Sequence, residues 1–217
     1  MFNKKTTYLI LLLLSSLCFD SNALEVTVID HQGKPVRNVV VEWHLNESAK
    51  QKRPSNLSTP TAIMDQIEEQ FSPHILTVEK GTSVSFPNSD NIKHHVYSFS
   101  EAKSFEQGLY RGKQAPPIVF ESSGVVDLGC NIHDWMLGYI YVADTPFFSK
   151  TNEKGIAELQ HALDSSHIKS VTIWHPRMQE NEVRVEQKFT GDKMRFELYK
   201  PMREDAEGYE DLSIDGY

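Results

Sequence analysis

The sequence predicts an all-β protein assembled from short strands. Runs of β-branched and aromatic residues recur along the chain and are separated by Gly, Pro, Asn and Asp, which is the pattern of strands joined by turns. Upstream of the C-terminus, no segment shows the three-to-four-residue apolar period of a long amphipathic helix. Several such runs are crowded between residues 61 and 144, a density typical of a small β-sandwich.

Residues 1–23 are similar to an export signal and are left out of the predicted fold. Lys4 and Lys5 precede a nearly unbroken apolar run over 8–17, which is too short to span a bilayer. Small residues in the segment 21–23 occupy the two positions that a signal peptidase reads, so cleavage is expected directly after it. The sequence therefore predicts export to the periplasm.

The mature chain is expected to be acidic, soluble and monomeric. The whole chain has a formal net charge of −8, and loss of residues 1–23 removes two lysines and one aspartate, which makes the charge −9. This charge argues against a nucleic-acid partner. No second apolar stretch in the sequence is long enough for a membrane span.

Cys130 is expected to be the only thiol of the mature chain, because Cys18 leaves with the signal. A lone thiol in an oxidising compartment is vulnerable unless it is buried or bound to something. The cysteine count leaves both an inert buried cysteine and a ligand open. Acylation of Cys18 in a lipoprotein is disfavoured because the bulky Leu17 precedes it.

Strand-length runs flank the central segment 61–144. Residues 24–29 and 39–43 alternate apolar and polar side chains around the turn segment 30–35, which predicts a hairpin-like pair of strands. Residues 46–61 are polar and include two prolines, which indicates a loop. The downstream runs are 147–150, 156–159, 170–174 and, as one or two strands, 182–199.

The central segment contains the strands of the predicted small sandwich. They are expected at 62–66, 74–79, 83–87, 95–99, 118–120, 124–128 and 138–142. Residues 101–117 end in two prolines and are predicted to be irregular. At the C-terminus, residues 201–217 combine many acidic residues with a single arginine, which predicts a solvated, disordered tail.

A Cys, a His and a Met share one predicted turn between two strands. The spacing Cys130-x2-His133-x2-Met136 lets a folded loop direct all three side chains inward, and together they form a soft donor set that suits copper better than zinc. A second imidazole should come from another strand end, where His94 and His95 are both candidates. Strand alternation sends these two to opposite faces, so at most one of them is a ligand.

These segments resemble the cupredoxins, the blue-copper family that includes plastocyanin and amicyanin. The stretch 86–90 followed by His94-His95-Val96 is similar to the family segment that ends in the first ligand histidine, and this match makes His94 the ligand. The loop from Cys130 to Met136 is similar to the family's C-terminal ligand loop. The run 71–144 is still more similar to bacterial proteins labelled methylamine utilization proteins. The resemblance implies a Greek-key β-sandwich that holds one copper ion, Cu(I) or Cu(II).

His95, Asn88 and Trp135 are the candidates for contacts around the ligands. In better-known cupredoxins an asparagine follows the first ligand and ties the two ligand loops together, whereas His95 stands at this place here. His95 could donate a similar hydrogen bond or compete as a ligand. Trp135 could contribute to an apolar surface patch or pack in the core.

The flanks resemble a second fold. Residues 26–41 and 147–159 are similar to the opening and middle of a transthyretin-like or carboxypeptidase-regulatory-like sandwich. Because these pieces lie on either side of the copper segment, the hypothesis is a discontinuous flanking sandwich over 24–60 and 145–200. The cupredoxin domain would occupy 61–144.

The ligand set predicts an electron carrier rather than an enzyme. A thiolate and two imidazoles suit either oxidation state of copper in nearly one geometry, and the sequence has no nucleophile elbow or phosphate loop. The resemblance implies that redox partner proteins dock transiently near His133. One alternative is a copper chaperone or sensor that holds Cu(I) with the same ligands. Another is a binding module in which Cys130 is merely buried.

Overall fold

The structure, a computed structural model, describes residues 23–49, 61–112, 116–159, 163–179, 185–198 and 200–203. The predictions for residues 1–22, for 204–217 of the acidic tail and for 50–60 of the polar loop lie outside the described residues. Within the described part of the chain, no helix has the length and hydropathy needed to cross a membrane.

Strands joined by turns make up the regular structure of the described residues, with one 3-10 turn at Ser165–His167. The strands are β1 (Leu24–Ile29), β2 (Val40–Leu45), β3 (Thr61–Ile63), β4 (Asp65–Ile67), β5 (Gln70–Ser72), β6 (Ile75–Glu79), β7 (Thr82–Ser85), β8 (His94–Ser100), β9 (Lys103–Tyr110), β10 (Ile118–Phe120), β11 (Gly124–Cys130), β12 (Leu137–Ala143), β13 (Phe148–Lys150), β14 (Ile156–Leu159), β15 (Ile168–Trp174), β16 (Val185–Lys188) and β17 (Lys193–Glu197). The all-β prediction is therefore confirmed.

The central strands form one sandwich. A five-stranded sheet in the order β6-β12-β11-β8-β9 and a three-stranded sheet in the order β10-β7-β3 share one apolar core, while β4 and β5 form a separate hairpin. Alternating side chains from both sheets fill this core, among them Val84 and Phe120 from the smaller sheet and Val96 and Ile140 from the larger one.

The flanking strands form a second sandwich. Its two sheets have the orders β14-β1-β17 and β13-β2-β15-β16, and their buried faces meet in a separate core that includes Val26, Val28, Trp43 and Ile173. Each sheet combines strands from both flanks: β1 pairs with β14, and β2 pairs with β13. Strands on both sides of the central segment thus build one unit.

The predicted hairpin-like pairing of residues 24–29 with 39–43 is wrong. Strand β1 pairs with β14 and β17, whereas β2 pairs with β13 and β15, so the two strands belong to opposite sheets. The Asp30 carboxylate accepts the backbone N–H groups of Gln32 and Lys34, which closes the local turn. The chain then crosses the sandwich, because this lets the apolar faces of both strands share one core.

The prediction of an irregular segment at 101–117 is also wrong in part. Residues 103–110 form β9, an edge strand that pairs antiparallel with β8. Only Gln107 of this strand is buried. Apolar and polar residues do not alternate along the strand, and that alternation is the pattern by which a strand is recognised in a sequence. The predicted run 62–66 divides into β3 and β4, which pair with different strands.

Residues 201–203, predicted as part of the tail, contact the segment after β15. The backbone N–H of Arg203 donates to the carbonyl oxygen of Arg177 at 2.8 Å. The Gln179 side chain donates to the carbonyl oxygen of Pro201 at 2.9 Å.

A buried carboxylate joins the two sandwiches. Glu42 of β2 is fully buried and accepts hydrogen bonds from the Tyr141 hydroxyl at 2.7 Å and from the backbone N–H groups of Asp144 at 2.7 Å and Thr145 at 3.2 Å. Trp174 of β15 packs beside it against Tyr141, with ring centroids 5.6 Å apart. Three donors from β12 and the two residues Asp144 and Thr145 that soon follow it therefore converge on one acceptor of the flanking sandwich.

Replacement of Glu42 by alanine should lower the free energy of unfolding by about 3 kcal/mol, because a buried hydroxyl and two backbone donors lose their acceptor. Tyr141→Phe, which removes one donor and leaves the carboxylate with two, should cost about 1 kcal/mol. Urea unfolding monitored by tryptophan fluorescence measures both. Equal losses in the two variants would contradict the role given to Glu42.

His175, which follows β15, should make the fold sensitive to acid. Burial lowers the pKa of His175 to about 3, and the charges of Arg177 and His74 add to this effect. Its Nδ1 accepts the backbone N–H of Arg177 at 3.2 Å, which requires an unprotonated Nδ1. In the unfolded chain, His175 takes up a proton as the pH falls through about 6.5, whereas in the folded chain it stays neutral until about pH 3. The free energy of unfolding therefore has its full value above pH 6.5 and decreases as the pH falls toward 3.

Between pH 6 and 4, His175 should therefore contribute a slope of up to about 1.4 kcal/mol per pH unit to the unfolding free energy. His175→Asn keeps a hydrogen-bond acceptor and should flatten this slope. The control His31→Asn replaces an exposed histidine and should leave the slope unchanged. Urea titrations of the metal-free protein at several pH values provide the measurement, and equal slopes in the wild type and His175→Asn would contradict the prediction.

Candidate metal centre

Two adjacent strand ends bring His94 and Cys130 together. His94 is the first residue of β8 and Cys130 is the last residue of β11. These strands pair antiparallel with Cys130 opposite Val96, so the end of one strand lies beside the beginning of the other. Sheet pairing, rather than the loops, therefore fixes the separation of the imidazole and the thiol.

The turn between β11 and β12 supplies the other two predicted ligands. The backbone N–H of Met136 donates to the carbonyl oxygen of His133 at 2.9 Å, which closes the turn. The Met136 side chain is fully buried in the same core cluster as Cys130, while the His133 side chain is half-buried. The thioether therefore lies on the core side of the turn, and the imidazole lies closer to solvent.

The three strongest donors converge. His94 Nδ1 lies 3.1 Å from His133 Nδ1, and Cys130 Sγ lies 3.9 Å from the first nitrogen and 3.7 Å from the second. Of the residues that the structure describes, these three form a group whose ligand atoms all lie within 4.8 Å of one another. His94 is fully buried and Cys130 is 3% exposed.

The spacing and chemistry of these atoms fit a single first-row transition metal. Donors held about 2.0 to 2.3 Å from one ion lie about 3 to 4 Å from one another, which is the range found here. A thiolate and two imidazoles with a thioether nearby form a soft donor set that suits copper. Direct hydrogen bonding explains the group less well, because a thiol is a weak donor and both sulfur contacts are long.

His95 lies on the other face of β8, away from this group. Its Nε2 contacts the Glu106 carboxylate at 2.9 Å on the exposed side of the sheet. His94, Val96 and Ser98 of the same strand face the core, as the alternation of a strand requires. The structure therefore separates the two histidines that the sequence left as alternatives.

Asn88 and Trp135, the other two predicted neighbours of the ligands, differ in role. Asn88 donates to the carbonyl oxygens of Ile92 and Tyr110, each at 3.0 Å, and accepts the backbone N–H of Asp90 at 3.0 Å. It therefore holds the loop that leads into β8. Trp135 is 57% exposed, with its ring centroid 5.3 Å from that of His133, so it is a surface residue rather than a core residue.

Asp90 contacts His94, a pairing that was not predicted from the sequence. Asp90 Oδ2 lies 2.6 Å from His94 Nε2. An ionised carboxylate only accepts hydrogen bonds, so Nε2 carries the hydrogen and Nδ1 is left with a lone pair directed toward Cys130 and His133. The carboxylate four residues before the histidine was visible in the sequence, but only the folded turn shows that the two side chains meet.

Asp90 is held in its ionised form. Burial alone would raise the pKa of Asp90, but hydrogen bonds from the backbone N–H of Glu69, from His94 and from the backbone N–H of Glu68 hold it below its usual range. The nearby Tyr110 donates to the carbonyl oxygen of Phe86 at 2.7 Å, and burial raises the pKa of Tyr110 to about 12. The site therefore combines one fixed anion with a neutral hydroxyl.

Similar solved structures come from the cupredoxins. Amicyanin from Paracoccus versutus is 20% identical over 41% of this chain and 86% of that chain, with a TM-score of 0.35. The purple cupredoxin from Nitrosopumilus maritimus is 25% identical over 39% of this chain and 99% of that chain, with a TM-score of 0.34. A reduced Cu(I) form of an amicyanin mutant is 20% identical over 41% of this chain and 87% of that chain, with a TM-score of 0.35.

No protein-family model matches this chain, and no curated protein matches it either. The distances, burial and donor chemistry of the chain's own residues therefore indicate a metal site.

Replacement of Cys130 by serine should reduce copper affinity at least a hundredfold, because a hydroxyl replaces the only soft anionic donor of the group. His95→Ala, which removes an imidazole from the opposite face of the same strand, should leave the affinity within about twofold. Competition with a chromophoric Cu(I) chelator measures both affinities. Equal losses in the two variants would contradict the assignment of the site.

Proposed function

We propose that this chain is an exported type 1 (blue) copper protein that binds one copper ion and carries single electrons between redox partner proteins. The observation that supports the proposal is the convergence of His94 and Cys130, at adjacent strand ends, with His133 of the following turn, since their donor atoms lie within 4.8 Å of one another. Copper in such a ligand set supplies a one-electron couple between Cu(II) and Cu(I). The protein would act without chemical conversion of a substrate and is therefore not proposed as an enzyme.

The residues of the chain would keep the donor positions unchanged while an electron enters or leaves. His94 and Cys130 belong to paired strands of a close-packed sandwich, so they move little. In the proposal, His94, Cys130 and His133 would hold the copper as its strong donors, and Met136 would contribute a weaker thioether donor from the core. A rigid set of donors lowers the rearrangement that each transfer requires.

An apolar surface around His133 supports the proposed docking of redox partners. Ile132, Trp135 and Leu137 are 49%, 57% and 39% exposed, and all three belong to or border the turn that carries this histidine. An exposed apolar patch next to the half-buried imidazole would allow brief contact with a partner protein. The electron would then enter or leave at His133.

The fold features favour a carrier over a copper chaperone. Chaperone function would benefit from an additional accessible imidazole, but His95 contacts Glu106 on the opposite face. The two donors on strands, His94 and Cys130, are buried, which hinders direct transfer of copper to another protein.

The domain boundaries, the location and the oligomeric state belong to this proposal as well. The copper domain would span 61–144, and the flanking domain would span 24–60 with 145–200. The protein would be a monomer in the periplasm. The label methylamine utilization protein does not identify the electron donor or the electron acceptor.

Addition of one equivalent of Cu(II) to the purified protein should produce an intense thiolate-to-copper absorption band in the visible range that disappears on reduction and returns on reoxidation. Cys130→Ser should lose the band, because the band requires the thiolate. Met136→Leu, which keeps the three strong donors, should retain a visible band and change the reduction potential. Binding of Cu(I) alone, without a coloured Cu(II) form, would support the chaperone, and absence of binding would support a non-metal binding module.

A further inference from the structure

The outer side of His94 meets a carboxylate that is built into the fold. Asp90 Oδ2 lies 2.6 Å from His94 Nε2, and the Asp90 side chain is only 13% exposed. This contact involves the ring nitrogen that does not face Cys130, so the carboxylate would act on a bound metal only through the imidazole. A partly buried anion in this position interacts more strongly with its neighbours than a solvated one does.

A backbone turn on another element fixes this carboxylate. Asp90 Oδ1 accepts the backbone N–H of Glu68 at 2.6 Å, and Oδ2 accepts the backbone N–H of Glu69 at 3.0 Å. These two residues join β4 to β5 and both have positive φ, at 52° and 59°. A two-residue turn of this kind is usually made by Asn and Gly, because other residues are disfavoured in that conformation.

The turn therefore keeps a disfavoured conformation that directs two N–H groups at one carboxylate. Asn88 also holds the loop that carries Asp90, because its side-chain oxygen accepts the backbone N–H of Asp90 at 3.0 Å. Asp90 thus has partners on three parts of the chain: the β4–β5 turn, its own loop and the imidazole of His94. Such arrangement of backbone donors around an anion reduces its freedom to move away from the ligand.

We infer that Asp90 is a positioning residue that sets both the orientation of His94 and the reduction potential of the centre, in favour of Cu(II). This inference rests on the proposed copper function, because it assigns a role to Asp90 within that site. The physical reason is charge: a carboxylate bonded to a ligand imidazole makes the imidazole a better donor and stabilises the doubly charged ion more than the singly charged one. The β4–β5 turn would thereby contribute to the redox properties without contacting the metal.

The chain contains a matched control for this effect. Glu106 of β9 contacts His95 Nε2 at 2.9 Å. This carboxylate–histidine pair has the same chemistry as the pair of Asp90 with His94, and its histidine is the next residue of β8. That pair lies on the opposite face, and the Glu106 side chain is 70% exposed. Glu106→Gln therefore removes the same charge as Asp90→Asn while leaving the ligand histidine untouched.

The test measures the reduction potential of the copper-loaded full chain by spectroelectrochemical titration for the wild type, Asp90→Asn, Asp90→Glu and Glu106→Gln. Asp90→Asn should reduce the preference for Cu(II) over Cu(I) about tenfold, which raises the potential by about 59 mV for a one-electron couple. Asp90→Glu retains the charge and should recover at least half of the difference. Glu106→Gln should change the preference by less than about twofold, because solvent screens an exposed charge.

A second measurement needs no copper. In the metal-free wild type at neutral pH, the ¹⁵N shifts of the His94 ring should report hydrogen on Nε2, and this preference should be lost in Asp90→Asn. The wild-type measurement remains decisive if Asp90→Asn does not fold, since hydrogen on Nδ1 would overturn the inference.

The outcomes separate the inference from the proposed function. A wild-type protein without a reversible copper couple would overturn the proposed function, and the inference with it. A reversible couple in which Asp90→Asn shifts the potential no more than Glu106→Gln does would overturn the inference alone. A large rise of the reduction potential in Asp90→Asn, with the potential of Asp90→Glu close to that of the wild type, would support the inference.

Discussion

The antiparallel pairing of β8 with β11 is the constraint on which the rest of the site depends. It places the first residue of one strand next to the last residue of the other, so His94 and Cys130 meet although 36 positions separate them. The short turn that follows adds His133 from the solvent side and Met136 from the core side. The same pairing sends His95 to the outer face, where it contacts Glu106.

A second layer of contacts surrounds these donors and comes from parts of the chain that carry no donor themselves. Asn88 holds the loop before β8, and the β4–β5 turn directs two backbone N–H groups at Asp90, which in turn meets His94. The flanking sandwich contacts the central sandwich at a greater distance from the donor atoms. Its buried Glu42 accepts three hydrogen bonds from Tyr141, Asp144 and Thr145, at and just after the end of β12. The central sandwich is thereby hydrogen-bonded to the flanking sandwich.

The features that were not predicted correctly from the sequence have a common physical origin. Alternation showed that residues 24–29 and 39–43 are strands, yet the pairing partners of β1 and β2 come from beyond residue 144, and local sequence does not encode a distant partner. Strand β9 was missed because an exposed edge strand need not alternate in hydropathy. The contact between Asp90 and His94 was missed because it depends on a backbone turn from another element.

By itself the sequence determined the strand-rich composition, the alternation that separates His94 from His95, and the soft donors Cys130, His133 and Met136 at close spacing. These features follow from side-chain chemistry and from the two-residue period of a strand, both of which are local. The tertiary structure decided which strands pair, which histidine faces the thiol and which carboxylate contacts that histidine. Those choices depend on sheet order and on close packing between segments that are far apart in the chain, so they appear only when the fold is complete.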